Sequence, residues 1–245
     1  MSIQIIKNEN IPLNIPAFSC DDNAVGEHLK FHPLTELLNV YGFLAIIGRP
    51  GSGKTSLAVS LITQKKPKIY KKTHHHIIVV IPSNSLNSMH ENPFSKLENI
   101  YHELDDQTIA DIYNKIDAYS KNGEKTLLLI DDMTVDLKRT VRIQETIKRI
   151  IYNRRHLKTN LIITAQSYVN IPLDVRKNIS SLILFKPPKK EMELIFSELI
   201  ENKKEHFQKI MNIAYDAHHN FLFVNIPSQR MFKNWDEIVI ADENI

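Results

Sequence analysis

One stretch of eight residues, Gly48-Arg49-Pro50-Gly51-Ser52-Gly53-Lys54-Thr55, constrains this chain more than any other. It matches G-x-x-x-x-G-K-S/T at every fixed position. The apolar run Phe43 to Ile47 precedes it, and Thr55 to Thr63 follows with Leu57, Ala58, Leu61 and Ile62 at helical spacing. A buried strand that turns through glycines into a helix gathers backbone N–H groups and the positive end of a helix dipole at one point, which suits a polyphosphate. The expected nucleotide-binding residues are Gly48, Arg49, Pro50, Gly51, Ser52, Gly53, Lys54, Thr55 and Ser56. Lys54 is placed to reach the β- and γ-phosphates, a catalytic contact, and the Thr55 hydroxyl to ligate Mg²⁺.

The rest of the chain reads as strands alternating with helices. Ile77 to Ile81, Thr126 to Ile130, Leu161 to Thr164 and Leu182 to Phe185 are continuous apolar runs, the pattern of strands buried on both faces of a parallel sheet. Between them, Asp105 opens a helix with Ile109, Ile112, Tyr113 and Ile116 on one side, ended by Asn122-Gly123. A basic helix over Val141 to Leu157 carries Ile143, Ile147, Ile150 and Ile151. Ser83 to Glu98 is polar and reads as a loop. A long helix is expected over Lys189 to Tyr215, with a break near Asn202, and Phe221 to Ile226 and Glu237 to Ile240 read as terminal strands forming a hairpin on the sheet edge. Residues 1–35, interrupted by Pro12, Pro16 and Pro33, read as an irregular N-terminal extension. The expected organisation is that extension followed by one α/β domain over 36–245, with 190–245 as helical and β additions. The expected fold class is a three-layer α/β sandwich with a mostly parallel central sheet, of the additional-strand, RecA-like type.

Two further strand ends carry chemistry. Thr126-Leu127-Leu128-Leu129-Ile130-Asp131-Asp132 places two acids at the tip of an apolar strand. Asp131 is expected to hold Mg²⁺ and Asp132 to polarise the attacking water as a general base. Leu161-Ile162-Ile163-Thr164-Ala165-Gln166 ends in an amide that can orient water or sense a γ-phosphate. One helix lies between the acidic strand and the Gln166 strand, as a βαβ unit requires, so the Gln166 strand is expected beside the phosphate-loop strand.

Charge and composition narrow the partners less. The formal net charge of +3 permits a polyanionic partner without demanding one. Lys65, Lys66, Lys68, Lys71 and Lys72 form one basic cluster. Lys138, Arg139, Arg142, Lys148, Arg149, Arg154, Arg155 and Lys158 form another, suited to phosphates of nucleic acid, a subunit interface or plain solvent. His74-His75-His76 resembles a metal tract but leads into a strand, where alternate side chains point to opposite faces. A single cysteine, Cys20, allows no internal disulfide and points to a reducing compartment, and the apolar runs are too short to cross a bilayer. A soluble intracellular protein is the expectation.

Assembled, these elements resemble the genome-packaging ATPases of large DNA viruses, within the FtsK–HerA class of DNA pumps. The resemblance rests on Gly48 to Thr55, on Leu127 to Asp132, on Asn153-Arg154-Arg155-His156 leading into Asn160 to Gln166, and on Ile171-Pro172-Leu173-Asp174-Val175-Arg176-Lys177-Asn178. It implies an ATP- and Mg²⁺-dependent enzyme that forms a homo-oligomeric ring, pentamer or hexamer, and translocates double-stranded DNA into a capsid. It also implies an arginine supplied by the neighbouring subunit, with Arg154, Arg155 and Arg176 as the candidates. Viral capsid or inner membrane proteins are the implied docking partners, and the host cytoplasm, the virus factory and the virion the implied locations. Other readings stay open: a helicase-like enzyme or DNA-segregation pump, a nucleotide kinase, or a nucleotide-driven assembly protein without translocation.

Overall fold

Every residue of Phe43–Ile47, Thr126–Ile130, Thr159–Ala165 and Ser181–Phe185 is buried, as expected of strands covered on both faces. The computed structural model describes residues 2–6, 12–13, 29–30, 38, 41–64, 70, 73–87, 92–200 and 204–241. In chain order the strands are β1 (Ser2–Ile6), β2 (Pro12–Leu13), β3 (Leu29–Lys30), β4 (Phe43–Ile47), β5 (His76–Val80), β6 (Asn99–Tyr101), β7 (Thr126–Ile130), β8 (Thr159–Ala165), β9 (Ser181–Phe185), β10 (Phe221–Asn225), β11 (Arg230–Lys233) and β12 (Asp236–Ala241). The α-helices are α1 (Lys54–Thr63), α2 (Ser83–Asn87), α3 (Asp106–Lys121), α4 (Val141–Asn153), α5 (Leu173–Arg176), α6 (Lys189–Leu199) and α7 (Lys204–Ala214).

Ten of these strands form one sheet in the order β1-β12-β11-β10-β9-β4-β8-β7-β5-β6. From β9 to β6 every pairing is parallel, and from β9 outward to β1 every pairing is antiparallel. Strand β8 lies between β4 and β7, with Ile46 opposite Thr164 on one side and Ile130 opposite Ile163 on the other. The mostly parallel α/β sandwich and the inserted strand are therefore as the sequence predicts.

Alternation along the strands splits the core in two. Phe43, Ala45 and Ile47 join one cluster with Ile109, Ile143, Ile147, Ile195 and Ile210, from α3, α4, α6 and α7. Leu44 and Ile46 join the other with Leu57, Ala58 and Leu61 of α1 and with Phe223, Phe232 and Trp235 of the antiparallel edge. Three layers follow from one period-two pattern. Each fully buried aliphatic side chain contributes about 1.5–3 kcal/mol.

The helix ends obey local chemistry. The Asp105 carboxylate accepts from Thr108 N at 2.7 Å and Thr140 Oγ1 accepts from Ile143 N at 3.2 Å, each satisfying an otherwise orphan amide of the first turn.

Four details differ from the sequence expectation. Residues 2–6 are not irregular but pair along their full length with Glu237 to Ala241 of β12. The polar stretch after β5 begins with the short helix α2 and leads to the edge strand β6, which only three residues encode. The helix over Lys189 to Tyr215 does break, as expected, but before Asn202: α6 ends at Leu199, with Ile200 already extended at φ −116° and ψ 114°, and α7 starts at Lys204. The terminal hairpin is a three-stranded antiparallel unit, because Arg230–Lys233 pairs with both β10 and β12. Cys20 and the cluster Lys65, Lys66, Lys68, Lys71 and Lys72 lie outside the described residues.

Candidate nucleotide-binding and catalytic site

The phosphate loop bridges β4 and α1. Gly53 has φ 100°, a left-handed conformation that a side chain would strain, and its carbonyl accepts from Leu57 N at 2.9 Å to start the helix. At Gly48 the constraint is space: a Cβ there would stand 2.5 Å from Ser52 Oγ and 2.7 Å from Phe185 Cβ. The loop is thus folded tightly against the end of β9. Ser52 Oγ is buried with no hydrogen-bond partner among the described residues. Lys54 is only 7% exposed, and its ammonium donates to Arg49 O at 3.1 Å. Burial lowers the Lys54 pKa, while the fields of Asp132 and Asp131 oppose that shift. An unpartnered hydroxyl, a buried cation and a left-handed turn form a cradle that fits a polyphosphate.

Asp131 and Asp132 follow β7 directly. Asp131 is fully buried and accepts from Thr55 Oγ1 at 3.1 and 3.2 Å and from Thr164 Oγ1 at 2.7 Å. Burial raises its pKa, opposed by those two hydroxyls. A carboxylate sunk among hydroxyl oxygens, with an ammonium nearby, is a hard-oxygen donor set that fits Mg²⁺. Asp132 adopts φ 53°. The turn aims its carboxylate toward β8, where Gln166 Nε2 donates to Asp132 Oδ2 at 2.8 Å. Its backbone N–H donates to Thr164 Oγ1 at 2.9 Å.

Lys54, Thr55, Asp131, Asp132 and Gln166 thus converge at the tips of three adjacent strands and the start of one helix, as the sequence predicts. Thr164 is the member that sequence reasoning missed. Its one hydroxyl donates to Asp131 and accepts from the Asp132 amide, which locks the acidic tip to the neighbouring strand. The available signal was a lone hydroxyl in an otherwise apolar run.

The three candidate arginines lie elsewhere. Arg176 makes a bidentate pair with Glu198 at 2.8 and 3.0 Å and lies over the Tyr168 ring, 4.8 Å from its centroid. Tyr168 donates to the same carboxylate at 2.7 Å. Arg154 turns back to donate to Ile151 O at 2.8 Å, its Nε is buried without a partner, and desolvation lowers its pKa. Arg155 is exposed; its carbonyl accepts from Lys158 N at 3.2 Å, and its guanidinium has no hydrogen-bond or ion-pair partner among the described residues. Arg154 and Arg155 precede β8 and Gln166 follows it, so its seven residues separate them, about 20 Å at ~3.3 Å per residue. Neither reaches the phosphate loop of its own chain.

The histidine tract does not converge on one point. His74 Nε2 bonds Asn160 Oδ1 at 2.9 Å, His75 Nδ1 accepts from Lys125 N at 3.0 Å, and His76 stacks on Tyr119 with ring centroids 3.5 Å apart. A match that sequence reasoning passed over is Asn114-Lys115-Ile116-Asp117, which has the Asn-Lys-x-Asp spacing of guanine-reading loops. Here it lies within α3: Ile116 is in the core, Lys115 donates to Tyr101 Oη at 2.7 Å and Asp117 pairs with Lys121 at 2.6 Å. Among the described residues no helix is long and apolar enough to cross a membrane.

A glycine-rich loop after a central parallel strand, acids at the tip of a non-adjacent strand and a polar residue on the strand between define a P-loop nucleoside triphosphatase fold of the additional-strand type. Solved structures share this architecture. The genome packaging NTPase B204 of Sulfolobus turreted icosahedral virus 2, solved in complex with AMP, superposes with a TM-score of 0.59 at 18% identity, covering 83% of this chain and 100% of that one. The cytoplasmic domain of the Type VII secretion ATPase EccC of Thermomonospora curvata matches with a TM-score of 0.55 at 15% identity, over 96% of this chain and 26% of that one. At such identities the likeness is one of fold. The chain belongs to the poxvirus A32 protein family, whose model matches residues 30–244. It is also similar to an uncharacterized protein, 015R, of Frog virus 3 (isolate Goorha), at 27% identity over 150 residues. That match takes in 58% of this chain and 43% of the length of the relative.

Proposed function

We propose that this chain is an ATP-hydrolysing translocase that drives double-stranded viral DNA into a capsid, working as a homo-oligomeric ring. The observation that carries this reading is the position of β8 between β4 and β7, which brings Gln166 and Asp132 together beside the loop bearing Lys54. Membership of the poxvirus A32 family and a fold shared with a viral genome packaging NTPase support the substrate and the setting.

Residues 48–56 hold the triphosphate, with loop amides and Lys54 bound to its β- and γ-oxygens. Thr55 and Asp131 would hold Mg²⁺, which would supply positive charge to offset that of the phosphates. Asp132 accepts the proton of the attacking water, and Gln166 orients that water through its amide. The hydrogen bond between them fixes the donor and acceptor faces of both side chains before any nucleotide enters. An arginine from the neighbouring subunit completes the site, and Arg155 is the candidate with a free guanidinium. Exposed apolar side chains on the segments following β7 and β8, Val135 at 79% and Val169 at 46%, suit a surface covered by a second subunit. Arg142 of α4, exposed and without an ion-pair partner among the described residues, suits DNA phosphates. Residues 36–245 form the motor, 190–245 being its additions, and its setting is the host cytoplasm where virions assemble.

The test is hydrolysis by assembled protein with and without linear double-stranded DNA. Stimulation by DNA that weakens as salt rises is expected. Hydrolysis indifferent to DNA in an assembled ring overturns the translocase reading while leaving the nucleotide site intact.

A further inference from the structure

The phosphate loop has a second side. The catalytic groups stand on β8 and β7, to one side of β4, whereas β9 and β10 lie to the other. A triphosphate laid across the tip of β4 with its γ end at Asp132 and Gln166 therefore projects its α end, and the nucleoside attached there, toward β9 and β10. A cleft of about 290 Å³ opens at that place, between Arg49 and Ser52 of the loop on one wall and Lys186, His218 and His219 on the other. Phe185 forms its floor: the ring lies within 3.7 Å of where a Cβ of Gly53 would be.

This cleft is a built feature. His219 takes the left-handed conformation, φ 63°, rare for a side chain of that size, and its Nδ1 bonds Ser52 O at 3.2 Å. The turn is held from behind. Asn220 Nδ2 donates to Asp216 Oδ1 at 2.8 Å, Asn234 Nδ2 donates to Asn220 Oδ1 at 2.9 Å, and Lys233 pairs with Asp216. These bonds use the side-chain oxygen and nitrogen of Asn220; His218 beside it is exposed, its ring edge-on to that of His219 with centroids 4.1 Å apart and without a hydrogen bond among the described residues. Arg49 and Lys186 line the same opening, and among the described residues neither side chain has an ion-pair partner. Such a cleft offers an aromatic face and two cations beside a phosphate cradle, which is the chemistry that holds a base and its sugar-phosphate link.

We propose that the turn Asp216–Asn220, with Lys186 and Arg49, is the nucleoside subsite, and that the base stacks on the His218 ring. This rests on the reading of Gly48 to Thr55 as the triphosphate cradle, and it adds the part of the molecule that distinguishes a nucleotide from a bare polyphosphate.

Titration calorimetry with ATP and with inorganic tripolyphosphate, both with Mg²⁺, separates the two readings. Wild-type protein should bind ATP more tightly than tripolyphosphate. His218→Ala should weaken ATP by about tenfold, the worth of one base-stacking contact, and leave tripolyphosphate unchanged. His218→Phe should restore ATP affinity, which a merely structural histidine would not allow. Unchanged ATP affinity in His218→Ala, with tripolyphosphate binding intact, overturns the subsite alone. Equal tripolyphosphate binding by wild type and Lys54→Ala overturns the phosphate cradle and the subsite with it.

Discussion

Gln166 donates its side-chain amide to Asp132 at 2.8 Å, a bond between the tips of two neighbouring strands that fixes the carboxylate proposed above as the general base. Gln166→Ala should lower kcat by about a hundredfold, the lower end of what positioned proton transfer contributes, with KM for ATP little changed. Asp132→Asn should cost as much or more. Steady-state phosphate release measures both, and a variant whose KM alone rises would place Gln166 in binding.

Lys54→Ala removes a buried cation whose hydrogen-bond partner among the described residues is a carbonyl oxygen, that of Arg49. Hydrolysis should fall by about a hundredfold or more, because a preorganised charge facing the transferred phosphoryl group is lost. The far-ultraviolet circular dichroism spectrum should not change.

Thr164→Val keeps shape and removes the hydroxyl shared by Asp131 and the Asp132 amide. Both groups would then be left one bond short in a buried place, so stability should drop by about 1–3 kcal/mol, read from the denaturant midpoint. Turnover should fall as well, since the acidic tip loses its tie to β8.

Arg176 and Arg155 should separate cleanly. Arg176→Ala breaks a bidentate pair whose arginine side chain is 13% exposed, and it should cost about 1–3 kcal/mol of stability in the isolated chain. Arg155→Ala should leave stability unchanged and abolish turnover only in assembled protein. Mixing Arg155→Ala with Lys54→Ala subunits should recover activity if Arg155 acts across the interface, because some junctions then hold one intact Lys54 and one intact Arg155.

Helix α3 offers a pH test. The Thr108 amide, donating to the Asp105 carboxylate, holds that carboxyl below its ordinary pKa. A depressed folded pKa gives stability that is present above the unfolded value near 3.8 and lost as pH falls through the folded value. Asp105→Ala should cost about 1 kcal/mol at neutral pH, and Asp105→Asn should keep the cap while removing its acid sensitivity. Thermal melts from pH 2 to 7 distinguish the three proteins.

The parallel half of the sheet was legible because its strands are apolar on both faces, and each motif sits at a strand tip that the pattern marks. Asp131-Asp132 and Gln166 could each be read as a polar strand tip from that pattern, and βαβ spacing put the Gln166 strand beside the phosphate-loop strand. The edges were not legible for the same physical reason. Strand β6 has three half-buried residues, and β1 is completed only by its partner β12, far along the chain. His218 and His219 gave no local signal either. Their place beside the loop depends on β9 lying next to β4 and β10 next to β9, which is a matter of topology and not of spacing. Arg176 looked like a free cation until Glu198 of α6 was brought against it.

Strand β8 has a mechanical meaning beyond its role in the sheet. It is a rod of seven residues, bonded along both sides, with Gln166 at one end and the exposed Arg155 just before the other. Neither end can shift alone without tearing a ladder of backbone hydrogen bonds. A displacement of one end is therefore handed to the other as translation, over about 20 Å at ~3.3 Å per residue. In the ring proposed above, one protomer's hydrolysis face and the Arg155 surface it would offer its neighbour would be opposite ends of the same pushrod.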